Sequence, residues 1–262
     1  MTSYREEGFA RITAAKKIKF SHRASRKLEK KLDKARMHYE KMLYASFENA
    51  YLRHFRVTVF GSAKIEDTTS DEFQFVSNLA RELGKSLDVD IVTGGGGGLM
   101  LAASTGLYQA LKETNGEARN QGVLMDLPEK ESHEFNPFLD VTEKFQCFTT
   151  RLEEFVRSSH GIYLAPGGIG TALEAALFIQ LKQKGMVEKN FPILAHPFWK
   201  PILENENKMM FSARGKQNQQ RLLDKGDLKL VYYTRDITEI VRIFKKSFSA
   251  WKKITRKVDY AK

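Results

Sequence analysis

The chain is poor in cysteine and proline, with one cysteine, Cys147, and six prolines in 262 residues. A single cysteine excludes a disulfide framework within the chain and fits a reducing compartment. No apolar run approaches the about 20 residues that a membrane-spanning helix needs. The opening MTSYREEGFARITAAKKIKF has no apolar stretch of the kind a secretion signal carries. A cytoplasmic protein with no membrane partner is expected. Acidic residues are also in deficit, since 43 Lys and Arg stand against 32 Asp and Glu, a formal charge of +11. That excess sits at the two ends, in residues 11–41 and 245–262, while the glycine-rich middle is balanced. Charge placed this way reads first as solvated helical faces, and nucleic acid ranks last among the partners considered. His133, His160 and His196 are scattered without metal-ligand spacing, so no metal is expected.

What the sequence does contain is an alternation of short apolar runs and helical patterns. From Ser25 to Arg53, apolar residues Leu28, Leu32, Ala35, Tyr39, Met42 and Ala45 recur every three or four positions, as on one face of an amphipathic helix. Strand patterns follow at 56–60, 90–92, 122–125, 161–165, 191–195 and 228–233, with a short extended segment after Asp140. Helical periodicity fills 71–87, 99–111, 151–157, 172–184 and 237–251. Strands alternating with helices at this spacing imply an α/β fold, a mostly parallel sheet with helices on both faces. The expected organisation is a basic helical extension over 1–54, a catalytic or binding domain over 55–245, and a basic tail over 246–262.

Three glycine-bearing turns fall where strands end. They are Gly61-Ser62 after the first strand, the run Gly94 to Gly98 after the second, and Pro166-Gly167-Gly168-Ile169-Gly170-Thr171 after the strand at 161–165. In parallel α/β sheets, ligands bind at the carboxyl ends of strands. A strand, a glycine turn and a helix opening on Thr171 present backbone N–H groups to an anion, with the helix dipole in support. Glu174 lies one turn into that helix. A carboxylate there suits a sugar hydroxyl or a water better than a phosphate; the competing reading is a tight turn in which Glu174 satisfies the helix terminus. No Gly-Lys-Ser/Thr follows any of the turns, and no clean GxGxxG with an acidic partner appears, so neither an NTPase nor a dehydrogenase is favoured.

The segment TGGGGGLMLAASTG, Thr93 to Gly106, and PGGIGTALE, Pro166 to Glu174, resemble the paired motifs of the Lonely Guy (LOG) family of phosphoribohydrolases, whose members were long labelled lysine decarboxylases. Arg151 stands where that family has its active-site arginine, and the opening VFGSA also fits. The resemblance runs from about Arg56 to Phe244. It implies a Rossmann-like fold, a homodimer, and hydrolysis of nucleoside 5′-monophosphates, of purine or cytokinin type, to free base and ribose 5-phosphate, without a cofactor. It assigns catalysis to Glu174 and Arg151. Phosphate and substrate binding fall to Gly61, Ser62, Gly95, Gly96, Gly97, Gly98, Pro166, Gly167, Gly168, Gly170 and Thr171. Departures are Leu101, where many relatives carry Glu, and Leu152, where Lys is common. Relatives of the fold also carry nucleotides or molybdenum cofactor without hydrolysing them, which is the alternative reading.

Overall fold

The computed structural model describes residues 30–34, 54–126, 136–204 and 226–259. The chain divides after Asn49 into two units. In the first, residues 30–34 are helical, and the rest of the amphipathic segment lies outside the described residues, as does His133.

The second unit is built on seven strands. They are β1 (Arg56–Phe60), β2 (Asp90–Thr93), β3 (Asn120–Met125), β4 (Val141–Phe145), β5 (Gly161–Leu164), β6 (Ile193–Ala195) and β7 (Tyr232–Tyr233). The helices between and after them are α1 (Asp71–Leu87), α2 (Leu99–Thr114), α3 (Phe148–Ser158), α4 (Ile169–Gln183) and α5 (Ile237–Asp259). The sheet order is β4-β3-β2-β1-β5-β6-β7, and every pairing is parallel. This is the expected Rossmann-like α/β fold. Strand order reverses direction between β1 and β5, and the crevice outside their carboxyl ends is where such sheets bind ligands.

Alternation within the strands distributes side chains between two apolar layers. Val57, Val59, Ile91 and Tyr163 face one layer with α1, α2 and α5. Phe60, Val92, Ile162 and Leu164 face the other, with Phe155 of α3 and Phe178 of α4. Helix α1 shows how local sequence sets an element. The Ser70 hydroxyl accepts from the Phe73 N–H at 3.3 Å, Asp71 and Glu72 occupy the first turn, and Asp88 closes the helix at φ 49°. Helices α1 and α2 approach closely because Gly106 has no side chain; a Cβ there would lie 2.8 Å from the Ser77 carbonyl carbon.

Several element bounds differ from the sequence reading. Helix α4 begins at Ile169, so Gly168 is its N-cap and Gly170 lies in its first turn. The last strand is confined to Tyr232–Tyr233, because Asp227–Lys229 coils into a 3₁₀ turn. Helix α5 continues to Asp259 and buries Trp251 edge-on to Phe55, at 5.7 Å between ring centroids.

Candidate functional site

β1 and β5 end level with each other, Phe60 pairing with Leu164, and the turns beyond them are joined by backbone hydrogen bonds. The Ala165 N–H donates to the Phe60 carbonyl at 2.8 Å and the Ser62 N–H to the Pro166 carbonyl at 3.0 Å. The Ser62 carbonyl in turn accepts from the Leu99 N–H, the first of α2, at 2.9 Å. Gly61, Ser62, Pro166 and Gly98 are thereby brought together. Gly98 has φ 59° and a Cβ there would strike the Ser62–Ala63 backbone, 2.6 Å from the Ala63 carbonyl carbon, so only glycine lets α2 start against this turn. Gly95, at φ 78°, lies against Leu124 of β3. Gly96 is buried and Gly97 half-buried, with open space beside Gly97.

The PGG loop has a packed side and an open side. A Cβ on Gly167 would lie 2.7 Å from the Thr171 Cβ, so this glycine makes room for the buried Thr171. Gly168 and Gly170 are exposed, and a Cβ on either would meet nothing within 4 Å. No side chain caps α2 or α4, and neither helix has an acidic residue in its first turn. An anion at the start of α4 would therefore meet the positive end of the helix without a competing carboxylate.

Arg151 and Glu174 meet across this edge. Arg151 Nη1 lies 3.9 Å from Glu174 Oε1, and both side chains are 12% exposed. The guanidinium is fixed from several sides. Its Nε–H donates to the Val123 carbonyl at 2.8 Å, and its Cζ lies 5.0 Å from the Phe155 ring centroid and 5.9 Å from that of Phe148. Burial lowers the Arg151 pKa from its ordinary value, against the attraction of Glu174. Burial also pushes the Glu174 carboxyl up to about 7, with Arg151 pulling it down. A carboxylate beside a fixed guanidinium, poised to gain or lose a proton near neutrality, can steady a developing cation or direct a water.

One participant escaped the sequence reading. A Cβ on Gly94 would lie 2.7 Å from Arg151 Nη2 and 2.8 Å from Met100 Sδ, so Gly94 is the floor on which the guanidinium rests. The only signal was its place at the head of the five-glycine run. Among the described histidines, His160 accepts from the Arg56 N–H at 3.0 Å and stacks on Phe55, and His196 accepts from the Phe198 N–H at 3.1 Å. Among the described residues, no three His, Cys, Asp or Glu side chains come together as metal ligands, and no helix is long and apolar enough to cross a membrane.

The parallel sheet, the switch point between β1 and β5 and the glycine turns at their carboxyl ends define a LOG-like Rossmann protein. Residues 54–222, well over half of the chain, match the SLOG cluster4 family, and the chain belongs to it. Its fold is similar to that of the molybdenum cofactor carrier protein from Chlamydomonas reinhardtii, at 19% identity and TM-score 0.54 over 75% of this chain and 99% of that one. It is also similar to the molybdenum cofactor binding protein from the phototrophic bacterium Rippkaea orientalis, at 19% identity and TM-score 0.51 over 74% of this chain and 97% of that one. No curated protein matches the sequence.

Proposed function

We propose that the protein hydrolyses the N-glycosidic bond of nucleoside 5′-monophosphates, of purine or cytokinin type, releasing free base and ribose 5-phosphate. The observation that carries this reading is the largely enclosed Arg151–Glu174 pair, 3.9 Å apart, beside the uncapped start of α4. The 5′-phosphate would lie on the backbone of Gly168, Gly170 and Thr171, with Gly167 holding the turn open for it. Gly95 to Gly98 would let the sugar approach the start of α2, and the Ser62 O–H would supply a donor. The bond from C1′ to the base nitrogen breaks as positive charge builds on the ribose, and the Glu174 carboxylate stabilises that charge. A water then bonds to C1′ and gives a proton to Glu174; the base, which has left with the electron pair, takes a proton from solvent, and Glu174 returns its own to solvent, which restores the carboxylate. Arg151 holds Glu174 in place and neutralises anionic charge on the phosphate or the leaving base.

Product analysis with a panel of nucleoside monophosphates and the matching nucleosides tests the proposal. Free base released from the monophosphates alone supports it, and the best substrate identifies the base. The second reading is a protein of the same fold that binds nucleotide or molybdenum cofactor without hydrolysis. Leu101 favours it by removing a polar contact that many relatives have, and two proteins of similar fold are described as molybdenum cofactor binding and carrier proteins. No release from any monophosphate, with Glu174→Gln indistinguishable from wild type, would favour that reading.

A homodimer belongs to the same proposal. Helix α4 carries apolar residues on its outer as well as its inner side, with Ile169 91% and Leu173 45% exposed. A helix apolar all round calls for cover on both sides, here a second copy. Light scattering should give twice the chain mass, and Ile169→Glu/Leu173→Glu should halve it. A cytoplasmic setting suits the free, exposed Cys147.

A further inference from the structure

The amino edge of the sheet, opposite the glycine turns, holds a cavity of about 270 Å³ beside β6 and β7. Four lysines line it: Lys182 from the end of α4, Lys189 from the approach to β6, Lys229 from the approach to β7, and Lys246 from α5. None of the lining residues is Asp or Glu. Among the described residues none of the four lysines forms an ion pair. Lys182 is half-buried and spends one of its N–H groups on the Phe191 carbonyl, at 2.6 Å, and burial lowers its pKa. Two carboxylates on adjoining elements are engaged elsewhere. Asp227 accepts from Gln183 at 2.9 Å, and Glu239 accepts from the Tyr232 hydroxyl at 2.6 Å and that of Thr234 at 2.9 Å.

Like charges gathered round a concavity without a counter-charge repel one another, and an anion bound among them relieves that repulsion. A single phosphate would use fewer of these donors than the cavity offers, whereas a diphosphate or triphosphate spans several. Asn190 and Ser247 add neutral polar groups to the lining, and Phe191 and Ile243 give it an apolar wall of the kind small-molecule sites carry. A concave shape of this size fits a small molecule better than a nucleic-acid backbone, which is met by an extended groove or stripe. We propose that this cavity is a binding site for a small molecule bearing a diphosphate or triphosphate, separate from the Arg151–Glu174 site.

Titration calorimetry of the full chain with inorganic pyrophosphate and with ATP tests this. Saturable binding of both is expected. The charge-reversing pair Lys229→Glu/Lys246→Glu, at exposed positions whose change leaves the fold intact by circular dichroism, should weaken it about tenfold or more, the weight of a charge-assisted contact. The control pair Lys112→Glu/Lys144→Glu changes the net charge equally, on α2 and β4, and should leave the affinity within about twofold, as screening of distant surface charge implies. Unchanged binding by the cavity pair would overturn the proposal. So would equal losses from both pairs, which would assign the effect to overall charge. Arg151→Ala should retain pyrophosphate binding; its loss there would place the anion at the glycine turns and also refute the proposal. Binding of a short DNA duplex through the same two lysines, with no uptake of pyrophosphate, would reassign them to a nucleic-acid surface.

Discussion

Replacing Glu174 by Gln keeps the shape of the side chain and removes its charge. Burial raises the carboxyl from 4.5 to about 7, net of the attraction of Arg151. A carboxyl raised on folding holds its proton more tightly in the folded chain. Its favourable contribution is complete below pH 4.5 and is lost as pH rises through about 7. At about 1.4 kcal/mol per pH unit, that interval amounts to about 3 kcal/mol of destabilisation once Glu174 is ionised. Glu174→Gln should therefore fall within about 1 kcal/mol of wild type at pH 5 and exceed it by about 3 kcal/mol at pH 8. For a domain of this size the gain at pH 8 corresponds to roughly 6–12 °C in Tm, measurable by calorimetry across a pH series. The same variant should lose turnover by about a hundredfold or more, the usual weight of a positioned acid–base group. A stability difference independent of pH would refute the desolvation argument. Unchanged turnover, with base release present in wild type, would remove Glu174 from the chemistry.

If the ionised form of Glu174 is the active one, kcat/KM should rise with pH through about 7 and then level off, and a stopped-assay pH profile should show that limb vanish in Glu174→Gln. Arg151→Ala removes the cation that pulls Glu174 down and leaves the Val123 carbonyl without its 2.8 Å partner, so the limb should move to higher pH and nucleotide binding should weaken about tenfold or more. Gly94→Ala should displace the Arg151 guanidinium, whose Nη2 would lie 2.7 Å from the new methyl group, and lower activity well before the far-ultraviolet circular dichroism changes. Gly98→Ala meets backbone rather than a movable side chain, at a φ of 59°, and should destabilise the domain by about 1–3 kcal/mol in denaturant titration.

The strands and helices were legible because their patterns differ in period and are separated by glycine or polar turns. Helix α1 occupies 71–87 as read, since Ser70 and Asp71 mark its start and its apolar residues keep a helical spacing. The start of α4 was harder. Three glycines in four positions read as a turn, yet Gly170 takes a helical position once Gly168 serves as the cap. The last strand is shorter than its apolar pattern suggests, because the run that includes Leu228, Leu230 and Val231 begins inside the 3₁₀ turn at Asp227–Lys229. Within the candidate site, the motifs identified Arg151 and Glu174 singly. Their approach was not legible, because it depends on β5 pairing with β1 and on β3 offering the Val123 carbonyl. Gly94 was invisible for a related reason, since what it accommodates comes from another part of the chain.

The burial of Trp251 bears on how the domain comes off the ribosome. Phe55, just before the first strand, has its aromatic neighbours Phe248 and Trp251 on the final helix, and Phe244 of that helix is fully enclosed in the same layer. Early strands can pair and α1 and α2 can dock on them while synthesis continues, but the layer these helices share with α5 stays incomplete until α5 emerges. During that interval Val57, Leu79 and Tyr163 line an unfinished apolar surface. A chain cut short of residue 244 would carry all three glycine turns yet could not complete the layer that Phe244 and Trp251 close.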